Sequence, residues 1–256
     1  MRIKSKLLIL TSLLSLSAFS SAQNVKLASD FTYPPFNYMD ENRNPVGFDI
    51  EIADALCQQA KLECEWVTQD WDGLIPGLLA RKFDVIMASM RITEDRKKKV
   101  LFTDKYYQTP ARFVSAKGQL TTVDENSLKG LTIGVQRGTI HDNYVRDKFA
   151  NVATIKTYTG QDEVFTDLTQ QRLDVIFGNS DQLALAFLEK EMGQNFEFVG
   201  EPVTDKAYIG EGTALALRQR DNELAAKFNQ AIVDIRANGT YQKIADKYFS
   251  FDIYGE

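Results

Sequence analysis

Leu131-Thr132-Ile133-Gly134-Val135-Gln136-Arg137-Gly138-Thr139-Ile140-His141 is the stretch on which the fold turns. Residues 131–135 are apolar and β-branched enough to read as a buried strand. Gly138-Thr139 then opens a helix that the pattern carries to about Phe149. The stretch begins a second series of alternating strands and helices. Strands fall at 153–158, 173–177 and 196–199, with helices near 162–171 and 182–191 between them. An earlier series has the same form. It places strands at 25–29, 65–68 and 83–88, with two helices between them, one capped by Asp49 and carrying Ile52, Ala53, Leu56 and Ala60, the other capped by Asp72 and carrying Leu74, Ile75, Leu78 and Leu79. Tyr33-Pro34-Pro35-Phe36 cannot continue the first strand, because adjacent prolines have no amide to donate. The tail reads as a helix over 222–237, capped by Asp221 and stopped by Gly239, and a last helix over 241–249. Alternating β and α segments predict parallel, doubly wound sheets. Two such units in one chain imply two lobes with a crevice between them, where ligands of such sheets sit.

Composition narrows the function. The chain has 256 residues, 44% hydrophobic and 25% charged, which is ordinary for a globular protein. One histidine and two cysteines exclude a Cys/His zinc finger and a histidine-rich metal centre. A formal charge of −5 argues against nucleic acid. Arg2, Lys4 and Lys6, a short apolar run to about Phe19, and Ser20-Ser21-Ala22 form a secretory leader cut after Ala22. Its removal takes away three cations and leaves a soluble, acidic, exported chain. No cysteine at the cleavage point allows lipid attachment, and no later segment is apolar enough to span a bilayer. Export permits a local disulfide between Cys57 and Cys64.

Several motifs occur in a set order: Tyr33-Pro34-Pro35-Phe36, Gly47-Phe48-Asp49-Ile50, Asp72-Gly73-Leu74-Ile75-Pro76, Ile92-Thr93 with Arg96, Phe102-Thr103, Gly138-Thr139, and Gly239-Thr240-Tyr241 with Lys247-Tyr248-Phe249. In this order and spacing the chain resembles the periplasmic solute-binding proteins of polar amino acid ABC transporters, in the lysine/arginine/ornithine- and histidine-binding branch. The likeness covers the chain beyond its leader. It implies a type II periplasmic-binding-protein fold of class α/β, each lobe a mostly parallel sheet flanked by helices. The first lobe would comprise 23–110 and 211–256, the second 111–210, with hinge strands near 109–112 and 207–212. The Cys57/Cys64 pair matches the bridge of that branch.

The resemblance also assigns the site. Arg96 would grip the ligand α-carboxylate in a two-pronged hydrogen bond, aided by the amides at the helix start around Thr139 and Ile140. Tyr33 and Trp71 would wall the ligand side chain, and Asp30 would meet its distal cation. Ala88, Ser89 and Gln136 complete the cleft. Two positions depart from the branch. Asn179 stands where an aspartate pairs with the α-ammonium, and an amide oxygen there would still accept from it. Arg91 replaces a hydroxyl residue, and is expected either to point to solvent or to favour a more anionic ligand. His141 follows the helix start and is either a solvated helix residue or a cleft residue; in the cleft its charge near pH 6 would make affinity for a dicarboxylate rise as pH falls from 7 to 5.5.

The expected function is therefore capture of a basic amino acid by hinge closure and its delivery to an inner-membrane permease. Arginine comes first, then ornithine, lysine or histidine. The protein would be a monomer in the periplasm, without cofactor, metal or catalysis. Alternatives are an opine-type arginine conjugate such as octopine, an exported enzyme like the cyclohexadienyl dehydratases, and a periplasmic sensor.

Overall fold

A computed structural model describes residues 23–255. The expected leader, residues 1–22, lies outside them. Two five-stranded sheets organise the chain. In the first, Leu62–Thr68, Gln23–Ser29 and Val85–Ile86 run parallel, while Ala216–Leu217 and Leu101–Phe102 add antiparallel pairings. The second repeats the scheme: Thr154–Tyr158, Thr132–Gln136 and Val175–Asn179 are parallel, and Ala111–Ala116 and Phe196–Val203 antiparallel. The parallel strands are those joined through helices, as the alternation predicts. The antiparallel Ala111–Ala116 and Ala216–Leu217 lie just beyond the points where the chain passes from one sheet to the other.

The first core shows why the tail belongs with the beginning of the chain. Helix Asn222–Ala237 buries Leu224, Ala225, Phe228, Ala231, Ile232 and Ile235, a three-to-four repeat that packs on helix Phe48–Ala60. Phe36 stacks on Tyr107 with ring centroids 4.9 Å apart, and Phe48 meets Phe249 edge-on. In the second core, Phe113 stacks on Phe177 at 4.1 Å. The Tyr33-Pro34-Pro35-Phe36 segment folds against a small sheet of Thr32–Tyr33, Asn37–Met39 and Pro45–Val46.

Several local expectations change. Asp49 does not cap its helix. Gly47 holds the cap position at φ 122°, where a Cβ would stand 2.4 Å from the Phe36 carbonyl oxygen. Asp49 lies in the first turn, fully buried. Asp72 sits within a 3₁₀ turn, Trp71–Gly73, ahead of helix Leu74–Leu79, and its carboxylate serves elsewhere. The helix expected over 182–191 is broken into Ser180–Leu183, a π turn Ala184–Leu188 and Glu191–Gly193. The final helix is shorter, Thr240–Ala245.

Cys57, near the end of helix Phe48–Ala60, and Cys64, on the next strand, form a disulfide. Closing so short a loop contributes about 2 kcal/mol by limiting the unfolded chain. Replacing both cysteines with alanine is expected to lower Tm by about 5 °C in calorimetry; an unchanged Tm would show the bridge adds nothing.

Candidate functional site

Strand ends and helix starts of both sheets meet at one cleft. From the first lobe come Asp30, Tyr33, Trp71, Ala88, Ser89, Arg91 and Arg96. From the second come Gln136, Thr139, Ile140, His141 and Asn179. Every site residue expected from sequence therefore stands at this one place.

The placements follow from local folding. Thr93 caps the short helix Glu94–Lys97 by accepting from the Arg96 amide, which fixes the arginine in the first turn of that helix. The Arg96 guanidinium donates to the Arg91 carbonyl at 3.0 Å and lies 5.3 Å from the Trp71 ring centroid. Burial, with Arg91 beside it, lowers its pKa to about 10, so it stays charged at neutral pH. Thr139 caps helix Ile140–Phe149 by accepting from the Asp142 amide, and its hydroxyl donates to the Gln136 carbonyl. The first-turn amides of Ile140 and His141 have no acceptor within the helix.

Asp30 is reached from both sides. Thr32 Oγ1 donates to it at 3.0 Å, and Gln136 Nε2 donates from the second sheet at 3.1 Å. Burial raises the Asp30 pKa and these two hydrogen bonds partly offset the rise. Arg137, beside Gln136, donates to the Asp72 carboxylate through Nε at 3.0 Å and Nη2 at 2.6 Å. That ion pair also joins the lobes. Both of its members are exposed, so its contribution is small, about 0–1 kcal/mol.

Three expectations need correction. Arg91 does not point to solvent. It is 4% exposed, and its Nη2 donates to the Thr109 carbonyl and hydroxyl at 2.6 and 2.8 Å. Asn179 does not offer its oxygen to a ligand. Oδ1 accepts from the amides of Asp181 and Gln182 as the cap of helix Ser180–Leu183, and Nδ2 donates to the Thr109 hydroxyl. His141 lies in the cleft, but burial first, and then Arg91 and Arg96, lower its pKa to about 3. Its imidazole is neutral at pH 7 and at pH 5.5, so it supplies no switchable cation over that range.

Sequence reasoning missed Asp49. Its carboxylate accepts from Asn37 Nδ2, Ser89 Oγ and Tyr106 OH, each at 2.8 Å. Burial nevertheless raises its pKa to about 6. Ser89, a cleft residue in the left-handed region at φ 52°, is held by this bond. The signal was present in Gly47-Phe48-Asp49-Ile50, a lone acid between two apolar residues. Thr109 was also missed, since a hydroxyl in a connecting segment has no pattern of its own.

Two α/β lobes facing one cleft with a carboxylate and paired guanidiniums define a bilobal binding protein. Residues 25–251 match the family described as bacterial extracellular solute-binding proteins, family 3. The chain belongs to that family. It is 45% identical to the L-arginine-binding protein of Pseudomonas aeruginosa, over 95% of each chain. It is 37% identical to the lysine/arginine/ornithine-binding periplasmic protein of Escherichia coli, over 99% of this chain and 100% of the relative. Among solved structures, a Salmonella typhimurium periplasmic binding protein described for its high arginine specificity superposes with a TM-score of 0.83. It is 31% identical, over 90% of this chain and all of the other.

The low His141 pKa has a sign that can be tested. The unfolded chain takes up a proton near the ordinary value of 6.5, whereas the folded chain resists until about 3. Stability present above pH 6.5 is therefore lost as pH falls toward 3. At pH 5 the His141→Gln variant is expected to retain about 2 kcal/mol more of its pH 7.5 stability than the parent, by urea unfolding at both pH values. Parallel losses would mean that the imidazole is free to charge in the fold.

Proposed function

We propose that this protein captures a small basic solute between its lobes and delivers it to an inner-membrane ABC permease. One observation carries the reading: a carboxylate, Asp30, and a guanidinium, Arg96, line the same interlobe cleft with Tyr33 and Trp71. A ligand with a cation at one end and a carboxylate at the other fits that polarity. Asp30 meets the distal cation, Arg96 and the helix-start amides meet the carboxylate, and the two aromatic rings flank the stem. Stacking of a cation on such rings is worth about 0.5–2 kcal/mol. The names of the relatives agree with arginine as first choice, before ornithine, lysine or histidine.

The lobes divide at 110/111 and 210/211, and the segments crossing there act as the hinge. Thr213 supports this. It bridges to both Arg91 and Tyr107, so the returning chain is tied to the outgoing one. The protein works as an exported monomer in the periplasm. Among the described residues no helix is long and apolar enough to cross a membrane. The reading contains no chemical step. Asp30 is the one carboxylate among the cleft-lining residues, and here it serves ligand charge rather than proton transfer.

Titration calorimetry with arginine tests the proposal. Binding at micromolar Kd or tighter is expected, with a matching rise in Tm. Asp30→Asn should weaken it about 10- to 100-fold, since hydrogen bonds to charged groups contribute about 1.5–3 kcal/mol. Arg96→Gln should cost more than 100-fold, because it removes the charged partner of a buried ligand carboxylate. If arginine, ornithine, lysine and histidine all leave Tm unmoved, the reading is wrong.

A further inference from the structure

Asp49 is a buried charge set behind the cleft wall. It is 0% exposed, in the first turn of helix Phe48–Ala60, and its carboxylate accepts from Asn37 Nδ2, Ser89 Oγ and Tyr106 OH at 2.8 Å each. The Asn37 oxygen is taken by Ser29 Oγ, so only N–H faces the acid from that side. The backbone amide of Ser89 also faces the carboxylate and favours its charge. Ser89 is thus held by one side chain through both its hydroxyl and its main chain. Of the three side chains that donate to Asp49, only Ser89 lines the cleft.

Ser89 sits in the middle of a segment that is pinned to the first sheet on both sides. Before it, strand Val85–Ile86 ends and the Met87 amide donates to the Ala28 carbonyl at 3.0 Å. Beyond it, the Met90 carbonyl accepts from the Ala214 amide at 3.1 Å, and Arg91 bridges to Thr213. Between these pins Ser89 lies at φ 52°, and Ala88, Ser89 and Arg91 all line the cleft. A serine persists in this region only where its surroundings over-determine it. Released from Asp49 it has a lower-energy backbone available, and the move turns the Ala88 carbonyl and the Met90 amide relative to the cleft. We infer that Asp49 is a positioning residue for solute binding: through Ser89 it holds this wall of the cleft in the backbone arrangement that the solute meets, while touching no solute itself. The inference rests on the proposed use of the cleft as the solute site.

A double-mutant cycle tests this, read by calorimetry at pH 7.5 with L-arginine, and with ornithine, lysine and histidine as second probes. Tm is measured on the same proteins. Asp49→Ala is expected to weaken binding about tenfold. Ser89→Gly removes the hydroxyl but reaches φ 52° without strain, so in that background Asp49→Ala should change Kd less than about twofold. Tm should fall by a similar amount in both backgrounds, because the buried donors of Asn37 and Tyr106 lose their acceptor in each. Asp49→Asn keeps the volume and one acceptor oxygen. It carries the same cycle, with an expected loss of about threefold, if Asp49→Ala does not fold. An equal loss of affinity in both backgrounds, or none in either, overturns the inference and leaves the proposed function standing. A parent protein that binds none of the four amino acids overturns both.

Discussion

The hydroxyl of Thr109 joins the parts of this molecule that matter most. Thr109 lies where the chain leaves the first sheet for the second, and it is 4% exposed. Its Oγ1 accepts from Arg91 of the first lobe at 2.8 Å and from Asn179 of the second at 2.6 Å. Both donors line the cleft. The crossing segment thus fixes the direction of one guanidinium and one amide at the same point. Rotation of one lobe against the other has to move these groups relative to the ligand or break the pair of bonds. That couples the charge of the cleft to the geometry of the segment that crosses between the sheets.

A second buried group supports the cleft from the first lobe. Asp49 is a carboxylate inside an aromatic core, with Phe48 and Tyr106 around it. Such a group is costly to bury unless it is hydrogen-bonded. Three donors meet it, and Asn37 is itself fixed by Ser29. The chain Ser29–Asn37–Asp49–Ser89 runs from the first strand to the cleft wall. It holds Ser89 in a backbone conformation that a non-glycine residue seldom adopts.

The parallel strands and their helices were legible in the sequence, because burial on both faces and a three-to-four repeat are local patterns. Of the strand Ala111–Ala116 only the start was expected, as a hinge strand near 109–112. Its place is set by two partners, Val175–Asn179 and Phe196–Val203, some sixty to ninety residues away. The break after Leu183 was likewise hidden, since an apolar run reads the same in an α helix and a π turn. At the site, the residue types were legible and their states were not. His141 has its proton affinity set by burial and by two arginines from the other lobe. Asn179 turns its oxygen inward because a helix begins there, and Arg91 turns to a threonine eighteen residues on. Each outcome depends on a partner that no local pattern names.

The central claim is that one polar ligand lies lengthwise in this cleft, its cation at Asp30 and its carboxylate at Arg96. A crystal structure of the protein with arginine bound measures this directly. The account predicts a two-pronged contact between the ligand carboxylate and Arg96, with the ligand guanidinium on Asp30 between Tyr33 and Trp71. A ligand lying in the reverse sense, or bound outside the cleft, would contradict it.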